Sequence, residues 1–308
     1  MVMEEFFMRF SKAFIVCSLA TLSIGAFAQQ ASVLRDGGST VGVVYDYRGL
    51  QAREASSGQL SGKRQFNPVR FKFTPESNPI FLQEMAADWA QLGIQGAAPT
   101  IRKRTAHQGD FQAQTPQANV TFTSPGYRSV TFPAMDGASK DPAYMTASMD
   151  VNDFTFDGLS DVSKAEKQLI KNQKLWVPHN FKLEIDGITV GDVHMRPFTV
   201  AAADVDGDGF DDVLTSTNLK FVVPMSDAPQ YIAWFNNIQK GVDDTRDCRY
   251  TIFMTDGSPC CTIHIRCRPI EMGAVDLLGS LTNGGGGPFV VEMKTGTVKF
   301  FNNAKGFG

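Results

Sequence analysis

The stretch Phe181 to Val193, FKLEIDGITVGDV, decides how the chain is read. Phe181, Leu183 and Ile185 alternate with Lys182 and Glu184, the period-2 pattern of a half-buried strand. Asp186 and Gly187 supply the backbone freedom of a two-residue hairpin turn, so a second strand is predicted over the residues that follow, to Val193. Much earlier, DGGSTVGV at 36–43 echoes DGITVGDV at 186–193. The echo marks the start of an internal repeat.

Working outward, the chain states one order of elements twice. VRFKFTP at 69–75 matches LKFVVP at 219–224, and Pro75-Glu76-Ser77 matches Pro224-Met225-Ser226. A helix opened by Asn78 and Pro79, ended by Gly93, and apolar along Phe81, Met85, Trp89 and Leu92 is predicted next. Its counterpart carries Tyr231, Phe235 and Ile238, with Trp234 beside that stripe. VTFTS at 120–124 matches TIHIRC at 262–267, and MTASMDVNDFTF at 145–156 matches VVEMKTGTVKFF at 290–301. The spacing stays near 145: Val41 to Val190 is 149, Trp89 to Trp234 is 145, Val120 to Thr262 is 142 and Phe156 to Phe301 is 145. The predicted fold class is α+β: two tandem, mostly antiparallel β-sheet or barrel domains, each with one flanking helix. The predicted divisions are a signal peptide over 1–28, a first domain over 29–156, a helical linker rich in Lys, Glu, Gln and Ala over 157–176, a second domain over 177–303 and a tail over 304–308. SSGQLSGKR at 56–64 reads as an exposed loop, and 95–118 as a long polar loop with a short strand.

Bulk properties narrow the function. A net charge of −3 and a pI near 5.8 give no general basic field for nucleic acid. Arg9 and Lys12 precede an apolar run that ends in Ala26-Phe27-Ala28, the small-x-small rule of signal cleavage, so an exported mature chain is expected. No other run is long enough to span a membrane as a helix. Beyond that segment the cysteines are Cys248, Cys260, Cys261 and Cys267, which allow three disulfide pairings. On a strand Cys260 and Cys261 would point to opposite faces and not pair with each other. A zinc cluster of Cys260, Cys261, His264 and Cys267 matches no standard module. His107, His179, His194 and His264 have no nucleophile motif beside them, and no phosphate-binding glycine loop is present, so a non-enzymatic role is expected.

The sharpest chemical motif is ADVDGDGFDD at 203–212. Asp204, Asp206, Asp208 and Asp212 fall at loop positions 1, 3, 5 and 9, and the Phe210 carbonyl at position 7, where oxygens converge on one hard cation. Without a cation these crowded carboxylates repel one another. Position 12 is Thr215 in place of Glu and the flanks read as strands, so the loop is not an EF-hand. It resembles the calcium loop of FG-GAP or VCBS repeats, although a propeller needs several such blades and this chain has one. A solvated acidic turn is the alternative.

Two longer stretches carry a further resemblance. KLWVPHNFKLEIDGITVGDVHMRPFTV at 174–200 and STNLKFVVPMSDAPQYIAWFNNIQKG at 216–241 resemble the tube proteins of contractile phage tails and related injection systems. That resemblance implies a structural protein whose domains assemble into rings and stacked tubes, with strands lining the lumen and loops meeting the next ring. It implies no catalytic residues. The expected function is therefore an exported, self-associating structural protein, with a secreted calcium-dependent adhesion or binding module as the alternative. The C-terminal MKTGTVKFFNNAKGFG at 293–308 is similar to the opening of a cold-shock domain, which implies a third, nucleic-acid-binding alternative. Sixteen residues cannot build that five-stranded barrel, and VVEMKTGTVKFF fills the last strand of the second repeat.

Overall fold

A computed structural model describes residues 32–36, 39–46, 50–54, 60–76, 111–114, 119–123, 126–151, 153–156, 176–203, 213–274 and 289–301, together with Leu82, Met85, Ala86, Trp89 and Leu92. The first half holds β1 (Ser32–Asp36), β2 (Ser39–Asp46), β3 (Leu50–Glu54), β4 (Leu60–Phe66), β5 (Val69–Phe73), β6 (Phe111–Gln114), β7 (Asn119–Thr123), β8 (Gly126–Phe132), β9 (Met135–Asp136), β10 (Met145–Asp150) and β11 (Asp153–Phe156). The second half holds β12 (Phe181–Ile185), β13 (His194–Met195), β14 (Phe198–Ala203), β15 (Val213–Ser216), β16 (Leu219–Val223), helix α1 (Ala228–Gln239), β17 (Arg246–Phe253), β18 (Pro259–Ala274) and β19 (Phe289–Phe301). Every described pairing is antiparallel. The strands form a ten-stranded sheet in the order β11-β7-β6-β1-β2-β5-β10-β8-β14-β15, a seven-stranded sheet in the order β12-β17-β18-β19-β16-β13-β9, and the separate pair β3-β4. The fold is α+β and mostly β.

The ladders of the two halves retrace each other. β5 pairs with β10, placing Val69 opposite Met149, Phe71 opposite Ala147 and Phe73 opposite Met145. β16 pairs with β19 in the same way: Leu219 opposite Met293, Phe221 opposite Val291 and Val223 opposite Phe289. All of these side chains are buried, each large one contributing about 1.5–3 kcal/mol by leaving water. β2 flanks β5 with Val44 opposite Phe71, as β13 flanks β16 with Met195 opposite Phe221. β1 meets β6 as β12 meets β17, and β6 meets β7 as β17 meets the start of β18. β7 meets β11 as the start of β18 meets the end of β19, and β8 meets β10 as the end of β18 meets the start of β19. Even an irregularity recurs. Ser148 faces Ser129 and Met149 faces Tyr127, passing over Arg128. Glu292 faces Glu271 and Met293 faces Pro269, passing over Ile270. Such a bulge bends a strand and re-aims its side chains, so its recurrence fixes which residues correspond.

The differences from the sequence reading have local causes. β12 ends in the turn at Asp186 and Gly187, with Gly187 at φ 72°, but the second strand predicted to Val193 does not form. A lone bridge joins Ile185 to Ile188. Just beyond it, the Gln230 side chain of α1 takes both backbone groups of Thr189: the Thr189 N–H donates to Gln230 Oε1 at 3.0 Å, and Gln230 Nε2 donates to the Thr189 carbonyl at 2.7 Å. That claim draws the segment out of the sheet until β13. The loop expected at 56–64 is instead partly strand, since β4 begins at Leu60 and pairs with β3. The buried face of α1 is Ala228, Tyr231 and Trp234, so Trp234 lies inside the stripe and Phe235 at its margin. In the first half Leu82, Met85, Ala86 and Trp89 are helical and buried, while Phe81 lies outside the described residues. Of the predicted linker, 157–175 lie outside the described residues, and Trp176 is fully buried, its Nε1–H donating to the Phe253 carbonyl at 2.9 Å. The predicted signal segment, 1–28, and the tail, 304–308, also lie outside them.

Cys248 and Cys267 form a disulfide across neighbouring strands, Cα atoms 6.1 Å apart. Cys260 and Cys261 are both buried and free, not paired with each other, as expected. A bulge falls at this point: Ile252 faces Cys261 and Phe253 faces Pro259, so Cys260 is the extra residue.

Candidate assembly surface

The two sheets exchange strands between the halves. β14, from the second half, adds to the edge of β8 with Phe198 opposite Phe132, Thr199 opposite Thr131, Val200 opposite Val130 and Ala201 opposite Ser129. Alternation sends Val130, Phe132, Phe198 and Val200 into the core. Phe132 stacks on Phe198 at 4.8 Å between centroids, and Tyr250 of β17 meets both edge-on, at 5.9 and 5.1 Å. Each such pair is worth about 0.5–1.5 kcal/mol beyond the area it buries. These rings pack the larger sheet against the smaller one. The opposite face is polar. The Thr131 and Thr199 hydroxyls lie 2.8 Å apart across the joint, and those of Ser129 and Ser148 lie 2.6 Å apart beside it. Ser129, Thr131 and Ser148, with Arg70, Arg128 and Thr146, line a shallow hollow of about 340 Å³. In return β9, from the first half, caps β13: Asp136 faces His194 and Met135 faces Met195. His194 Nδ1 stands 3.1 Å from Asp136 Oδ1, an exposed contact of small worth.

The joint has an unjoined counterpart. β14 and β15 form a hairpin with Val200 opposite Ser216, Ala201 opposite Thr215 and Ala202 opposite Leu214. β3 and β4 form the same hairpin 150 residues earlier, with Leu50 opposite Phe66, Gln51 opposite Gln65 and Ala52 opposite Arg64. Both hairpins lead into the central strand across the same gap, Phe66 to Val69 and Ser216 to Leu219. Yet β3-β4 joins no other strand among the described residues. The stretch of β18 that answers to β8, from Arg268 to Ala274, is paired with β19 on one side and with no described strand on the other. Ile270 there is 41% exposed.

The segment around α1 is locked by one arginine. Arg246 holds Asp244 by two parallel bonds of 2.9 Å, lies 4.7 Å over the Trp234 ring and donates to the Asp186 carbonyl at 3.0 Å. The Asp244 carboxylate is therefore kept below its ordinary range, chiefly by the bond from Arg246.

The residues predicted to bind calcium, Asp204, Asp206, Asp208, Phe210 and Asp212, lie outside the described residues. Their flanks are described: Ala203 faces Val213 in the β14-β15 pairing. Of the residues weighed for zinc, Cys267 is bonded to Cys248, and among the described residues no group of three or more His, Cys, Asp or Glu converges. His264 is held below its ordinary range, first by burial and then by Arg249. His179 Nδ1 meets the Ser139 carbonyl at 3.2 Å, and His107 lies outside the described residues. The stretch likened to a cold-shock opening runs through β19, where Met293 and Val298 are core residues, and 302–308 lie outside the described residues. Sequence reasoning missed the β3-β4 hairpin and the open edge of β18. No signal in the sequence marks the hairpin, since LSGKRQF at 60–66 shows no apolar alternation.

No family model matches the chain, and no curated protein matches it. Among solved structures it is similar to a chain of the anti-feeding prophage baseplate, seen by cryo-electron microscopy with 6-fold symmetrisation. The identity is 9%, the TM-score is 0.26, and the likeness covers 40% of this chain and 92% of that one. Similarity at that TM-score does not establish a common fold.

Proposed function

We propose that this is an exported, non-enzymatic structural protein, one building block written twice, which associates with copies of itself by adding strands to open sheet edges. The observation that supports the reading is the β8-β14 joint, where one half already extends the other's sheet in a defined register. Strand addition supplies affinity through the main chain and selectivity through alternate side chains. The resemblance to tail-tube subunits implies the same mode of life. Sedimentation velocity on the purified chain tests it. Species of several chains that grow with concentration are expected; a one-chain particle at every concentration would remove the proposal.

The Asp204–Asp212 run between β14 and β15 carries a second reading, a calcium site. The observation favouring it is that the strands on either side of the run pair antiparallel at Ala203 and Val213. Four carboxylates and a carbonyl in that spacing suit calcium's hard oxygen shell.

A further inference from the structure

We propose that the β3-β4 hairpin of one molecule docks on the open edge of β18 in a second copy, with Leu50 opposite Met272 and Gln51 opposite Glu271. The proposal rests on the self-association reading and names its interface. The register follows from two correspondences already fixed. The hairpins answer to each other 150 residues apart, so Leu50 and Gln51 stand for Val200 and Ala201. The shared bulge equates Arg128 with Ile270, 142 residues on, so Met272 and Glu271 stand for Val130 and Ser129. Within the chain Val200 faces Val130 and Ala201 faces Ser129. Transferring that pairing gives the stated register.

The edge suits such a guest. Met272 is partly buried against the core, so an apolar residue opposite it continues the inward face. Glu271 lies on the exposed side, opposite Glu292, whose carboxylate already accepts from Lys220 and Asn218. The incoming β3 sets the uncharged Gln51 opposite Glu271, so the contact adds no like charge there. Pro269 has no N–H to offer and ends the usable edge, leaving Glu271 to Ala274. That is the counterpart of Ser129 to Phe132, the four residues that β14 occupies on β8. Donor and acceptor sit on different halves, so each copy gives one hairpin and receives one. In the head-to-tail arrangement proposed, and not in the reciprocal exchange of a two-fold dimer, the contact propagates from copy to copy and closes into a ring if the rotation allows.

Single-cysteine variants of the full chain test the register. Leu50→Cys and Met272→Cys are purified separately, mixed and oxidised, with Gln51→Cys and Glu271→Cys as a second pair that spares the apolar face. Directly opposite residues lie within disulfide reach. Each matched mixture is expected to give a cross-linked dimer at least tenfold above the mismatched mixture of Leu50→Cys with Arg268→Cys. The double variant Leu50→Cys/Met272→Cys is expected to give a ladder of higher multimers. If the unmodified chain forms multimers while matched mixtures cross-link no better than the mismatched one, this interface is wrong and self-association stands. If the unmodified chain sediments as a single molecule throughout, both readings fall.

Discussion

At the scale of single residues, the joint is an aromatic cluster with one unsatisfied group. Tyr250 is buried among Phe132, Phe181 and Phe198, and its hydroxyl has no hydrogen-bond partner among the described residues. Tyr231, set edge-on to Phe221, carries a second such hydroxyl. A buried polar group left unpaired costs about 1–3 kcal/mol. Tyr250→Phe keeps the ring and removes that cost, so its denaturation midpoint is expected to rise at pH 7; an unchanged or lower midpoint would mean the hydroxyl has a partner. Burial also pushes both phenols above their ordinary range, and for Tyr231 Asp227 adds to the shift. The folded state therefore keeps protons that the unfolded chain releases above about pH 10. Stability is full below that pH and falls above it, by about 1.4 kcal/mol per pH unit for each tyrosine. Unfolding titrations at pH 9 to 11 should show Tyr250→Phe flattening that decline. The sequence reading placed the repeat within one residue here and no closer. It set Val120 against Thr262, whereas buried Phe122 answers to buried Ile265, which sets Val120 against Ile263. One residue of slip turns a strand over, and only burial on the ladder decides it.

Among the elements, β5 and β16 were the most legible, because strict alternation beside a proline leaves one reading. The β3-β4 hairpin was the least. Leu60 to Phe66 carries Ser, Gly, Lys, Arg and Gln between its ends and shows no apolar face until a partner strand supplies one. β9 and β13, two residues each, exist only through tertiary pairing. The disulfide pairing was open in sequence, and the structure forms one bond, Cys248 with Cys267 across the antiparallel β17-β18 ladder, leaving Cys260 and Cys261 free. That bond spans 19 residues, and a loop of this size confers about 3 kcal/mol through the unfolded state. Cys248→Ala/Cys267→Ala is expected to lose that amount in urea unfolding, and a loss under about 1 kcal/mol would show that the ladder alone holds the strands. For the Asp204–Asp212 run, calorimetry with calcium should give heat that Asp206→Ala abolishes; equal heat from the variant would dismiss the metal.

For the whole molecule, the matching ladders of the two halves mean that the β8-β14 joint is an example, within one chain, of the contact proposed between copies. The first half receives a hairpin, and among the described residues the matching edge of β18 and the β3-β4 hairpin of the first half each lack a partner strand. Electron microscopy of the purified chain bears most directly on this. The expected images are closed rings or short tubes whose mass is a whole multiple of one chain. Isolated particles of one chain's mass, at all concentrations tried, would contradict the account.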